Sequence, residues 1–215
     1  MCIAIIKKSG IELPSEETLY YCFFNNPHGA GFTVNRNGFN YIKKGFMTFE
    51  DFMDALEKEN IKEDESALIH FRVASVGSIN KGNCHPFPAT QNFSQMRNVR
   101  MKTDKDVVVH NGTFFNFMGE HNAGYSDTMQ FVNMIAPLLT AKEDMTKKQV
   151  KAFNELVENV VDNNCSRVAI MNKYGKINYF GDWINDKETG ILYSNKSYEK
   201  ITSRFSIEQL EFNFQ

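Results

Sequence analysis

The hydrophobic and polar positions of this chain divide it into short strands and amphipathic helices. Residues 2–7, CIAIIK, form an apolar run of strand length. After Ser15, Leu19, Cys22 and Phe23 recur at helical spacing, which predicts a capped helix through Phe24. The stretches 31–35 and 39–43 flank Asn37-Gly38, a dipeptide suited to the positive φ of a tight hairpin turn. Thr48 opens a second predicted helix with Phe49, Phe52, Met53 and Leu56 as its apolar stripe. In residues 66–73, SALIHFRV, period-two alternation puts Ala67, Ile69, Phe71 and Val73 on one strand face and Leu68, His70 and Arg72 on the other. Residues 106–110, DVVVH, are apolar on both faces, as a central strand covered on both sides would be. A helix from Asp127 to Leu139, capped by Ser126, is predicted next. Another follows over residues 147–161, with Val150, Phe153, Leu156, Val157, Val160 and Val161 on one face. Strands over 167–172 and 176–180, joined by a Tyr174-Gly175 turn, and over 190–194 complete the pattern.

Strands, then helices, then strands do not make a doubly wound parallel sheet. The order predicts an α+β fold of two stacked sheets, with residues 127–161 covering one sheet and the two early helices the other. A length of 215 residues is enough for a substantial core, and no Pro/Gly/Ser-rich linker or internal repeat divides the chain, so one domain over 1–215 is expected. Apolar residues make up 42% and charged residues 23%, as in an ordinary globular protein. The 19 phenylalanines read as core packing. A net charge of -2 with mixed signs offers no electrostatic footprint for nucleic acid or an anionic membrane. The lysines of 142–151 alternate with acids, as on a solvated helix face. No apolar run approaches the roughly 18 residues of a membrane span, and the N-terminus lacks the basic start of a signal peptide. Four scattered cysteines without metal-site spacing read as free thiols in a reducing compartment, so a cytoplasmic location is expected.

Cys2 is the first candidate for chemistry. Methionine is trimmed before a small second residue, and trimming would leave a thiol and a free α-amino group on one residue. Their ordinary pKa values of about 8.5 and about 7.7–8.0 let the amine activate its own nucleophile near neutral pH. A buried second-position cysteine with no role is the plain alternative. Further along come His70-Phe71-Arg72, then Asn83-Cys84-His85-Pro86-Phe87, His110-Asn111-Gly112-Thr113 and Ser126-Asp127-Thr128. Each has an ordinary structural reading: a turn for Asn-Gly, a cap for Ser-Asp, an ion pair for Arg72.

Taken in this order, the pieces resemble the class II glutamine amidotransferase domain, the purF-type family of N-terminal-nucleophile hydrolases. The resemblance spans residues 2 to about 130. Residues 191–195, ILYSN, are similar to the family's late strand, and 25–32, NNPHGAGF, to its early glycine-containing segment. The whole chain looks especially like small stand-alone members from bacteriophages and prophages. The resemblance implies a four-layer αββα sandwich and a glutaminase. In it Cys2 is the nucleophile, Arg72 grips the glutamine α-carboxylate, Asp127 holds the α-ammonium, and His85 also belongs to the substrate site. Asn111, through its side-chain amide, and Gly112, through its backbone N–H, form the oxyanion hole. Elementary chemistry agrees: a free amino acid needs one fixed cation and one fixed anion, and a guanidinium fork matches a carboxylate. The implied reaction requires no metal or organic cofactor. L-glutamine is the expected substrate, and a separate synthase the expected acceptor of the ammonia.

Two departures from the family pattern stand out. Val76 occupies the place of a second histidine after the His-x-Arg strand, and the nucleophile is followed by Ile3-Ala4 rather than by glycine. The tail, with Phe205, Leu210, Phe212 and Phe214, reads as a final strand on the core, with a docking surface as the alternative. Two other functions remain open at this point. One is an N-terminal-cysteine amidase acting on another γ-glutamyl or acyl amide, which would not need Arg72 and Asp127 as a pair. The other is a non-catalytic glutamine-sensing or binding module.

Overall fold

The computed structural model describes residues 2–74, 78–117 and 124–200. Met1, Val76 and the 205–215 tail, each given a part above, lie outside the described residues. The fold is α+β, with two antiparallel sheets and five α-helices among the described residues.

The N-terminal half follows local chemistry closely. Strand β1 (Ile3–Lys7) leads to helix α1 (Glu16–Phe24), where the Ser15 side chain accepts a hydrogen bond from the Thr18 N–H. Strands β2 (Ala30–Arg36) and β3 (Phe39–Phe46) form the expected hairpin, with φ of 48° at Asn37 and 79° at Gly38. Helix α2 (Phe49–Glu59) is capped by Thr48 and buries Phe52 and Leu56. Strand β4 (Ala67–Phe71) is buried at all five positions, so both of its alternating faces are covered.

The middle contains elements too short for a hydrophobic period to announce. These are β5 (Phe87–Pro88), the single-turn helix α3 (Phe93–Met96) and β6 (Arg100–Thr103). Strand β7 (Val107–Asn111) is buried throughout, as its double-sided apolar pattern predicts. Helix α4 (Asp127–Thr140) starts at its Ser126 cap. Helix α5 (Lys147–Asn163) starts at a Thr146–Gln149 capping box. Strands β8 (Arg167–Met171), β9 (Ile177–Phe180), β10 (Ile184–Asn185) and β11 (Leu192–Tyr193) complete the order, the last shorter than the predicted 190–194.

The larger sheet runs β10-β11-β1-β4-β2-β3-β6 and the smaller β5-β7-β8-β9. Three apolar clusters hold them. Leu19, Cys22, Phe52 and Leu56 of α1 and α2 pack on Ile3, Ile5, Phe32, Ile69 and Phe71 of the larger sheet. Phe131, Ile135, Phe153 and Val157 of α4 and α5 pack on Val108, Val168 and Ile170 of the smaller. Ala4, Ile6, Leu68 and Leu192 of the larger sheet meet Val109, Ala169 and Met171 of the smaller. Each full burial of such a side chain contributes about 1.5–3 kcal/mol. Ser194 Oγ accepts from both the Ala4 N–H and Asn111 Nδ2, which places the N-terminal end of β1 near the C-terminal end of β7.

No helix among the described residues is long and apolar enough to cross a membrane.

Candidate active site

Cys2 immediately precedes β1, whose antiparallel partner β4 is in register at Ile3↔Phe71. This pairing brings the half-buried thiol to the chain leaving β4. Cys2 Sγ lies 3.2 Å from the Val73 carbonyl, to which it donates, and accepts from the Val73 N–H at 3.3 Å. Its own carbonyl accepts from Asn195 Nδ2 at 2.7 Å. The Cys2 thiol and backbone are therefore held from two sides. Burial pushes the Cys2 thiol up from its ordinary value, while the Val73 N–H and the Arg72 charge act in the opposite direction. The Asp127 charge adds to the rise.

Arg72 is buried. Its backbone N–H donates to the Gly29 carbonyl and its own carbonyl accepts from the His28 N–H, while Nη1 donates to the Ser78 carbonyl at 3.1 Å. The turn that meets it has no room for side chains. A Cβ at Gly29, where φ is 118°, would lie 2.5 Å from Cys84 Sγ, and one at Gly31 would lie 2.2 Å from the His85 carbonyl. This packing is the physical reason for the two glycines of 25–32.

Asp127 opens α4, next to its Ser126 cap. Its Oδ2 accepts from the Phe114 N–H at 2.7 Å. Burial raises this carboxyl above the ordinary range, opposed by the N–H groups of Phe114, Thr128 and Asp127 itself. Asp127 thus ties α4 to the turn after β7 as well as carrying a charge that reaches Cys2.

Asn111 ends β7, and Gly112 follows with φ of 142°. A Cβ at Gly112 would stand 2.1 Å from Ser166 Oγ, so glycine is required by both space and backbone. Asn111 Nδ2 donates to Ser194 Oγ at 2.8 Å, while Asn111 Oδ1 is buried with no partner among the described residues.

Three buried histidines lie behind these groups. His70 Nε2 donates to the His110 carbonyl at 3.1 Å, and its ring lies against that of His85, tilted by 32° with centroids 4.1 Å apart. His110 bonds Thr128 Oγ1 at 2.8 Å and Ser166 Oγ at 3.1 Å, and stacks on Phe114. Neither ring nitrogen of His85 has a partner among the described residues. Burial pushes His70 and His110 down to about 3 and His85 well below its ordinary value, so all three are neutral near pH 7.

Arg72 and Asp127 are therefore each within electrostatic reach of Cys2, and Asn111 is linked through Ser194 to the strand that follows Cys2. His85 packs against the His70 and Phe87 rings, and the Arg72 charge acts on it. Sequence reasoning assigned no role to Ser194 and Asn195. Their signals are position, a polar pair directly after the apolar strand of residues 191–193, and their place in the segment 191–195 that resembles the family's late strand. Among the described residues, no group of three or more His, Cys, Asp and Glu side chains is placed to hold a metal ion. Compared with known proteins, the chain matches no family model and no curated protein.

Proposed function

We propose that this chain is a single-domain glutaminase of the class II amidotransferase type, built on the four-layer αββα sandwich of the N-terminal-nucleophile hydrolases. The observation that carries the reading is the setting of Cys2. Its thiol is fixed at a strand end by Val73, with one buried cation, Arg72, and one buried anion, Asp127, both close enough for their charges to act on it. The packing of α1 and α2 on one sheet and of α4 and α5 on the other supports the sandwich.

On this reading, removal of Met1 frees the Cys2 amine. The amine takes the thiol proton as Sγ attacks Cδ of glutamine, forming one S–C bond and a tetrahedral oxyanion. Arg72 holds the α-carboxylate, Asp127 the α-ammonium, and His85 supports the substrate site from the stack beneath. Asn111 and Gly112 donate to the oxyanion. The C–N bond then breaks, ammonia leaves with the proton held by the amine, and water hydrolyses the thioester to glutamate. The chemistry draws on the chain's own groups without a cofactor. The ammonia passes to a separate acceptor synthase in the cytoplasm.

One observation favours a second reading. Asp127 Oδ2 is already engaged by Phe114. That suits an N-terminal-cysteine amidase that does not grip an α-ammonium.

The test is intact-mass spectrometry before and after treatment with 6-diazo-5-oxo-L-norleucine. A chain beginning at Cys2, with a single adduct on Cys2 that excess glutamine blocks, is the expected result. A retained Met1 overturns the mechanism. A trimmed Cys2 that ignores the reagent but is acylated by other amides selects the second reading.

A further inference from the structure

We infer that Ser194 is the positioning residue for the oxyanion donor, its hydroxyl holding the Asn111 amide with the NH2 group turned towards the substrate's oxygen. The inference rests on the reading of Asn111 as that donor.

It follows from counting hydrogens. A serine hydroxyl has one hydrogen to give and two lone pairs to accept with. Ser194 is buried and locked to β1: its N–H donates to the Ala4 carbonyl at 3.0 Å, and the Ala4 N–H donates to Ser194 Oγ at 2.8 Å. With Asn111 Nδ2 as the donor to Oγ, both lone pairs are filled. The hydroxyl hydrogen then has no acceptor among the described residues, and Asn111 Oδ1 is buried without a donor. Both unmet groups belong to the one pair of side chains joined by the 2.8 Å contact between Asn111 Nδ2 and Ser194 Oγ. Turning the amide by half a revolution about its Cβ–Cγ bond meets both. Oδ1 accepts the Ser194 hydrogen, the Ala4 bond is untouched, and Nδ2 brings its two hydrogens to the position that Oδ1 held. Those hydrogens have no acceptor there among the described residues and are left for the oxygen that becomes negative during attack, where a preorganised donor acts most strongly.

The arrangement also ties the two halves of the reaction to one short segment. Ser194 orients the donor, and the next residue, Asn195, holds the Cys2 carbonyl at 2.7 Å. The register of β11 on β1, with Ile5 opposite Tyr193, places both residues at the N-terminal end of β1, and the packing of the two sheets brings Asn111 of β7 to Ser194.

The test is a double-mutant cycle with Ser194→Ala and Asn111→Ala, reading kcat and KM for glutamine hydrolysis and the iodoacetamide rate of Cys2, a reaction that forms no oxyanion. Asn111→Ala is expected to lower kcat about 10²–10³-fold. Ser194→Ala is expected to lower it about tenfold or more with little change in KM. In the Asn111→Ala background its further effect should shrink to about twofold or less, because both changes remove one interaction. The alkylation rate of Cys2 should be unchanged, and Ser194→Thr should recover turnover. Equal losses from Ser194→Ala with and without Asn111, or a matching loss of alkylation rate, would overturn the role. The failures are distinguishable: a wild-type protein that does not hydrolyse glutamine fells the proposed function and this role with it, whereas a sensitive Asn111 beside an indifferent Ser194 fells this role alone. If Ser194→Ala does not fold, NMR of the wild-type side-chain amide decides the orientation. Asn111 amide hydrogens remote from the Ser194 methylene are expected, and close contacts between them would overturn it.

Discussion

The two ends of β1 treat buried polar groups in opposite ways. At one end, Lys7 is fully buried, yet its ammonium donates to the carbonyls of Lys62, Glu63 and Glu65 at 2.7, 2.6 and 2.5 Å. Every N–H of the head group has a partner. At the other end, around Cys2 and the His70 that faces Ala4 across the sheet, polar atoms are left open. Four of the eight unpartnered buried side-chain atoms among the described residues belong to His70, His85 and Asn111. An unmet buried donor or acceptor costs about 1–3 kcal/mol, so a fold keeps such groups where something other than stability selects them. The matched end serves the fold, and the unmatched end coincides with the site of the proposed chemistry.

Acid should strain the unmatched end first and most. The folded-state pKa values of His70, His85 and His110 lie below the ordinary 6.5, so the unfolded chain binds more protons than the folded one as pH falls below about 6.5. Three such protons give a loss of about 4 kcal/mol per pH unit, fully present above pH 6.5 as stability and lost on acidification. Asp106, raised to about 6 by burial, offsets about one proton's worth as pH falls below 6, and Asp127, also raised by burial, acts in the same direction. Denaturation midpoints at pH 7, 6 and 5 measure the slope, and His85→Phe should remove about 1.4 kcal/mol per pH unit of it. A variant with the wild-type slope would show that His85 is not held neutral, and the contrast between the two ends would weaken.

The matched end is tested by Lys7→Met, which keeps the buried stem and removes the three donors. A loss of about 3 kcal/mol is expected from denaturation, because three carbonyls lose a charged partner. Glutamine turnover per folded molecule should stay as it was. A stable variant would mean that the loop at 62–65 rehydrates its carbonyls, and that matching at this end contributes little.

How much of this contrast was legible beforehand depended on the range of the interactions. Ser15, Thr48 and Ser126 are caps that act within three residues, and Asn37-Gly38 turns within four, so the sequence shows them directly. The double-sided burial of β7 was visible in its unbroken valines. Strands β5, β6 and β10 were not visible. Two to four residues carry no period, and β6 exists because it pairs with β3 some sixty positions earlier. The same limit applies to the site. Cys2, Arg72, Asn111 and Asp127 could be picked out by residue type and order, but the hold of Ser194 on Asn111 spans 83 positions and that of Asn195 on Cys2 spans 193. Those contacts arise from the pairing of β11 on β1 together with the packing of the smaller sheet on the larger.

Lys44 lies between the two extremes and gives the smallest test. It is buried, donates to the Met96 carbonyl at 2.5 Å and the Gly82 carbonyl at 3.3 Å, and lies 4.1 Å from the centre of the Phe87 ring. Burial lowers it to about 7, with Arg97 adding to the fall and Cys84 opposing it. Lys7 has the charges of Glu65, Asp64 and Glu63 to oppose its own burial, whereas the groups acting on Lys44 include no carboxylate. A lysine lowered on folding binds fewer protons in the folded chain between pH 7 and its ordinary 10.5. Its contribution to stability therefore rises with pH through that window, by at most about 1.4 kcal/mol per unit. Cysteine thiols raised by burial, Cys2, Cys22 and Cys84, pull in the opposite direction at alkaline pH, so the difference between wild type and Lys44→Met is the quantity to follow. From pH 7 to 9 the wild type should gain about 1–2 kcal/mol relative to the variant. Parallel curves would mean that two carbonyls and a ring face keep this ammonium charged, and that a buried lysine here needs no carboxylate to be matched.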